Sequence, residues 1–88
     1  MISCTIVTPQ KKHLENKLLG IYIETDSGKL GILKDHLPII TKLKKDSIIY
    51  FKKDIGVIKY SIGENGFLTF QNNTGVITAN DYSKIEEY

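Results

Sequence analysis

The residues of this chain that could do chemistry are few: two histidines (His13 and His36), one cysteine (Cys4) and a scatter of carboxylates. A zinc-type site needs three or four ligands at defined spacing, and neither histidine has a second cysteine near it. No serine stands in a Gly-x-Ser-x-Gly elbow, and the lone thiol has no base placed beside it. Asp26, Asp35, Asp46 and Asp54 fall in turn sequences, where carboxylates bond their own backbone. The run Gly28-Lys29-Leu30-Gly31 is glycine-rich like a phosphate loop, but it lacks the Gly-Lys-Ser/Thr ending and the helix start. Gly28 is read instead as a turn residue with positive φ, and Gly31 as a place where two backbones approach closely. His36, between Asp35 and Leu37-Pro38, either bonds nearby backbone to fix a turn or touches a partner. No catalytic residue, metal or cofactor is expected.

Composition narrows the class. Twelve lysines face ten acids, with no arginine, for a net charge of +2. Without the planar guanidinium fork there are no bidentate phosphate or guanine contacts. The lysine pairs Lys11-Lys12, Lys44-Lys45 and Lys52-Lys53 are spread along the chain and read as solvated turn and edge charge, so no nucleic-acid partner is expected. With 41% hydrophobic and 25% charged residues, the 88-residue chain has the make-up of one globular domain. A core this small supplies only a few kcal/mol of net stability, which favours a component that leans on partners. Cys4, alone and in an alternating pattern, reads as a buried packing thiol suited to a reducing compartment. Neither a leader nor a run of membrane-spanning length is found, so direct membrane insertion is not expected.

The elements that must position these residues are strands. Ile2, Cys4 and Ile6 alternate with polar neighbours up to Thr8-Pro9. Further strands are predicted at residues 18–24, 30–33 and 39–43. Residues 47–52 and 56–62 should pair as a hairpin, as should 66–71 and 75–79 through Asn72-Asn73-Thr74. Ile48, Ile49, Tyr50 and Phe51 are all bulky, so one side of that strand must meet a second layer, a loop or a partner. Only residues 81–88 could start a helix. Seven to ten short strands predict an all-β sandwich or barrel.

Taken together, these pieces resemble one family. Val7-Thr8-Pro9, the segment Gly28-Lys29-Leu30-Gly31-Ile32-Leu33-Lys34-Asp35-His36-Leu37-Pro38, then Asn65-Gly66-Phe67-Leu68 and Val76-Ile77-Thr78-Ala79-Asn80-Asp81 are similar to the N-terminal β-sandwich domain of the epsilon subunit of F-type ATP synthases. The resemblance implies a sandwich of two five-stranded sheets, about ten short strands, over residues 1–82, with 83–88 a short tail lacking the family's helical hairpin. It implies a non-catalytic rotor subunit in the central stalk, bound to a gamma subunit and the c-subunit ring, peripheral on the cytoplasmic face of a bacterial membrane. The interface it implies comprises Lys29, Gly31, Ile32, Leu33, Asp35, His36, Leu37 and Pro38. Lys29 stands where the family often has an acid. Either the ring's loops carry compensating acids, or that contact is not made directly. Asn16 replaces a usual glycine, keeping tolerance of positive φ, and Leu14 replaces a usual aromatic as a core change. A stand-alone module for carbohydrate or single-stranded nucleic acid is the alternative; it needs gathered, exposed aromatics, and the five tyrosines read as scattered.

Overall fold

Alternation decides which face each strand buries. In the computed structural model, which describes residues 1–88, β1 (Ile2–Val7) turns Ile2, Cys4 and Ile6 inward and Ser3, Thr5 and Val7 outward. The same two-residue period runs through β6 (Val57–Ile62), β7 (Phe67–Gln71) and β8 (Thr74–Thr78). The remaining strands are β2 (Lys12–Thr25), β3 (Gly28–Leu33), β4 (Ile39–Lys42), β5 (Ile48–Lys53) and β9 (Tyr82–Glu87).

One strand belongs to both layers. β2 is fourteen residues long: its first half pairs with β1, while its second half pairs with β3 on one edge and β5 on the other. One layer therefore runs β4-β7-β8-β1-β2 and the other β3-β2-β5-β6-β9. Counting the halves of β2 separately, this is the expected sandwich of two five-stranded sheets. Two irregularities let β2 turn from one layer to the other, one at residues 16–17 opposite Ser3, the other between Leu18 and Gly20. The positive φ at the first lies on Lys17 (φ 55°), not on Asn16.

Between the layers lie seventeen buried residues, among them Phe51, Phe70, Ile21, Ile32, Leu68 and Ile77. Each buried aliphatic or aromatic side chain contributes ~1.5–3 kcal/mol. Cys4 is fully buried among them, and burial pushes its thiol up to about 12, so it packs and does not react.

Two parts of the chain differ from expectation. Residues 12–17 (KHLENK) are strand although they are mostly polar, because β1 needs a hydrogen-bonding partner there. Residues 81–88 hold no helix start. They form β9, which adds to β6, and the backbones of Val57 and Tyr88 bond each other beyond it. Residues 83–88, set apart above as a tail, are thus strand for all but the last residue.

Where β2, β5 and β6 meet, the core turns polar. Glu15, on the inner face of β2, accepts from the Tyr60 hydroxyl at 3.0 Å and meets His13 Nε2 at 2.5 Å and Lys53 Nζ at 3.4 Å. Burial pushes the Glu15 carboxyl up, but His13, Tyr60 and the Lys53 charge outweigh it and hold the group below the usual carboxylate value. The Tyr60 hydroxyl is pushed up, chiefly by burial and then by its bond to that carboxylate.

Candidate docking surfaces

The turn after β3 is built by local chemistry. Asp35 takes φ 66°, a left-handed conformation that aspartate tolerates, and the His36 N–H bonds the Leu33 carbonyl at 3.1 Å. Across from it, Asn72 and Asn73 (φ 52° and 59°) close β7 and β8 with a two-residue hairpin turn. The Asp35 N–H donates to Asn73 Oδ1 at 2.6 Å, and Asn73 Nδ2 donates to Asp35 Oδ1 at 3.1 Å. His36 Nδ1 lies 2.6 Å from the Leu37 carbonyl, with its ring edge-on to Phe70. Two turns far apart in sequence are clamped into one stiff tip.

Most of the implied interface residues lie on or beside this tip. Leu33 and Leu37 are 52% and 79% exposed, and Pro38 is also exposed; His36 is half-buried and Asp35 is engaged by Asn73. Ile32 is different: it is fully buried and faces the core, so it offers no surface. Lys29 lies at the other end of β3, in cross-strand register with Glu24. Replacing Asn73 with glycine should keep the hairpin φ but release Asp35, leaving the fold intact and broadening the NMR signals of residues 34–38. Replacing it with alanine should also cost ~1–2 kcal/mol in urea unfolding, since alanine resists φ 59°.

The outer face of the first layer was not anticipated. β1, β7 and β8, its three central strands, contain no charged residue. Across them run two cross-strand rows, Ile40–Thr69–Val76–Thr5–Leu14 and Lys42–Phe67–Thr78–Val7–Lys12. Ile40, Leu14, Phe67 and Val76 are exposed there, so Leu14 is a surface residue and not a core one. Five strands ~4.8 Å apart make this a sheet face of roughly 400 Å², in which apolar and hydroxyl side chains mix and lysines stand only at the two ends of the second row. The signal was present in the sequence, as three strands free of Lys, Asp and Glu.

The outer face of the second layer gathers three of the tyrosines, which are therefore not scattered. Tyr22, Tyr50, Lys59 and Glu86 follow one another in register, and Tyr88 joins them. Lys59 lies 2.8 Å from Glu86, with its ammonium over the rings of Tyr50 and Tyr88, and Glu86 first, then Tyr88, push its pKa up. Gly31 does not admit a second backbone. A Cβ there would stand 2.9 Å from the Tyr22 ring, and one at Gly20 equally close, so the ring lies flat across both glycines.

No three His, Cys, Asp or Glu side chains converge to hold a metal ion, and no helix is long and apolar enough to cross a membrane. What the geometry offers is surface: a clamped tip and a continuous uncharged sheet face.

Residues 1–84 match the sequence profile of a family described as ATP synthase, Delta/Epsilon chain, beta-sandwich domain. An ATP synthase epsilon chain of Lactiplantibacillus plantarum is 35% identical over 79 residues, covering 89% of this chain and 56% of its own. A chloroplastic ATP synthase epsilon chain of Psilotum nudum is 30% identical over 95 residues, covering 99% and 64% respectively. A chain of the mitochondrial ATP synthase of Euglena gracilis, solved with its c-ring, shares the fold with a TM-score of 0.83 at 21% identity, over 94% of this chain and 52% of that one. The chain spans about half to two thirds the length of the relatives it matches.

Proposed function

Since the chain belongs to the family of delta/epsilon-chain β-sandwich domains of ATP synthases, we propose that it serves as a non-catalytic rotor component of such an enzyme. In this reading it joins a gamma-type stalk subunit to the ring of c subunits and couples ion flow to ATP synthesis or hydrolysis, on the cytoplasmic face of a bacterial membrane. The observation that carries the reading is the uncharged face of β1, β7 and β8. An exposed antiparallel face normally alternates hydrophobic-in with polar, often charged, out. Here the outward set is Ser, Thr, Val, Phe and Gln, the make-up of a surface that a static partner covers. We assign this face to the gamma-type subunit.

The tip, with Leu33, Asp35, His36, Leu37 and Pro38, is assigned to the ring. Torque transmission asks for a contact that does not deform. The Asp35–Asn73 clamp and the ring of His36 on Phe70 make this turn stiff. Lys29 and Gly31 lie farther along β3, outside the tip, and Ile32 supports it from within.

Co-expression with the gamma subunit of the same organism tests the reading. The two should co-elute through size exclusion as one species. A chain that is folded by NMR yet elutes apart from gamma overturns it.

A further inference from the structure

Three strands pair on one side only, and they are guarded unequally. β4 is four residues long and follows Pro38; β9 carries Lys84, Glu86 and Glu87. Shortness, proline and charge are the means by which sheet edges avoid adding a foreign strand. β3 has none of them beyond one lysine. Its six residues, GKLGIL, include two glycines and no proline, and it pairs with β2 alone.

The surface beside this edge is shaped as well as open. Between Lys29 and Tyr50 runs a groove of about 390 Å³, also lined by Tyr22, Glu24, Gly31 and Ile48. Gly31 contributes no side chain to it, and Tyr22, pressed flat on the sheet, shows one ring face to solvent. Lys29 is exposed and forms no ion pair, although Glu24 stands opposite it in register.

We propose that the free edge of β3 takes up an extended segment of a partner protein as an added strand, with an acidic side chain opposite Lys29 and an aromatic one opposite Gly31. The unpaired N–H and C=O groups of β3 supply the ladder, and alternate side chains supply selectivity. On the outer face, the acid answers Lys29 and the aromatic ring packs on the exposed face of Tyr22, whose own ring already covers Gly31. On the inner face, positions opposite Leu30 and Ile32 are apolar.

A second copy of this chain does not meet these demands. Antiparallel self-pairing through the middle of β3 sets Lys29 against Leu33 or Gly31, never against an acid. A six-residue edge is also far short of the ~1,200 Å² that a stable dimer needs. The inference is separate from the stalk assignment, which places its partners on the uncharged face and the tip.

The test uses the capped heptapeptide TLVYVET, whose antiparallel register sets Glu opposite Lys29, Tyr opposite Gly31 and Leu opposite Leu33. Added at millimolar concentration to the full chain, it should shift the amide signals of residues 28–33 and the ring signals of Tyr22 and Tyr50. The same peptide N-methylated at the residues whose N–H groups face β3 should leave them unmoved. Lys29→Glu should weaken binding roughly two- to fivefold, and a peptide with Lys in place of Glu should restore it. Absent shifts, equal binding by the N-methylated peptide, shifts centred on β4 or β9, or indifference to Lys29→Glu would each overturn the proposal.

Discussion

A lysine at position 76 should leave this protein folded and strip it of the gamma-type subunit proposed above as its stalk partner. Val76 is 38% exposed at the centre of the uncharged face, between Thr69 and Thr5 in cross-strand register. In the free chain the ammonium extends into water, so urea unfolding should change by no more than about 0.5 kcal/mol. Covered by a partner, the same ammonium loses water and gains no counter-charge. The neighbouring strands carry no acid to pair with it, and Lys42 and Lys12 flank the next row. That penalty is ~2–4 kcal/mol, roughly a thirty- to seven-hundredfold loss of affinity for the gamma-type subunit. Ser83→Lys, on exposed β9 in the other layer, is the control and should bind normally. Calorimetric titration of the two variants separates the cases. Equal affinity for both would place the stalk contact elsewhere.

Removing the Glu15 carboxylate should destabilise the sandwich more than any other single polar change. Three elements converge on it: His13 on its own strand, Lys53 from β5 and Tyr60 from β6. Glu15→Ala leaves the Tyr60 hydroxyl without its acceptor and the Lys53 ammonium without its counter-charge. A loss of ~1–3 kcal/mol is expected, mostly from the unpaired Tyr60 hydroxyl, because the Lys53 side chain is 35% exposed and its ammonium can turn to water. Against a total of ~5–10 kcal/mol for a domain of this size, much of the variant should be unfolded in mild denaturant. Glu15→Gln keeps an acceptor for Tyr60 and should lose about half as much.

The pH dependence follows from the direction of the shift. The Glu15 carboxyl is held below its ordinary value of 4.5 in the folded chain, so folding favours its charged form. The charge-dependent part of the stability is therefore fully present above about pH 4.5 and is lost as pH falls through the depressed folded value. Urea midpoints measured from pH 6 downward should fall more steeply in the parent than in Glu15→Gln. Parallel curves would show that the carboxylate's charge, as distinct from its hydrogen bonds, contributes nothing.

How much could be read in advance depended on how local each cause was. The period of β1, the hairpin turn at Asn72 and Asn73 (extended by one residue in the reading) and the positive φ of Gly28 (122°) were all legible, because each is decided within a few residues. The burial of Cys4 followed from alternation alone. Residues 12–17 were not legible as strand, since their polar side chains hide the pattern. Only the pairing with β1 and the clasp around Glu15 explain why His13 and Glu15 face inward.

The segment of residues 28–38 shows the division most clearly. Its types and spacing determined a strand, a turn and the absence of a phosphate loop, and they carried the family resemblance. Tertiary structure decided what each residue there does. Gly31 underlies the ring of Tyr22, Asp35 is gripped by Asn73 from a hairpin thirty-eight positions away, and Ile32 is committed to the core. Those roles come from pairing between distant strands. Local sequence sets the period of a strand, and its partners set which surfaces remain open.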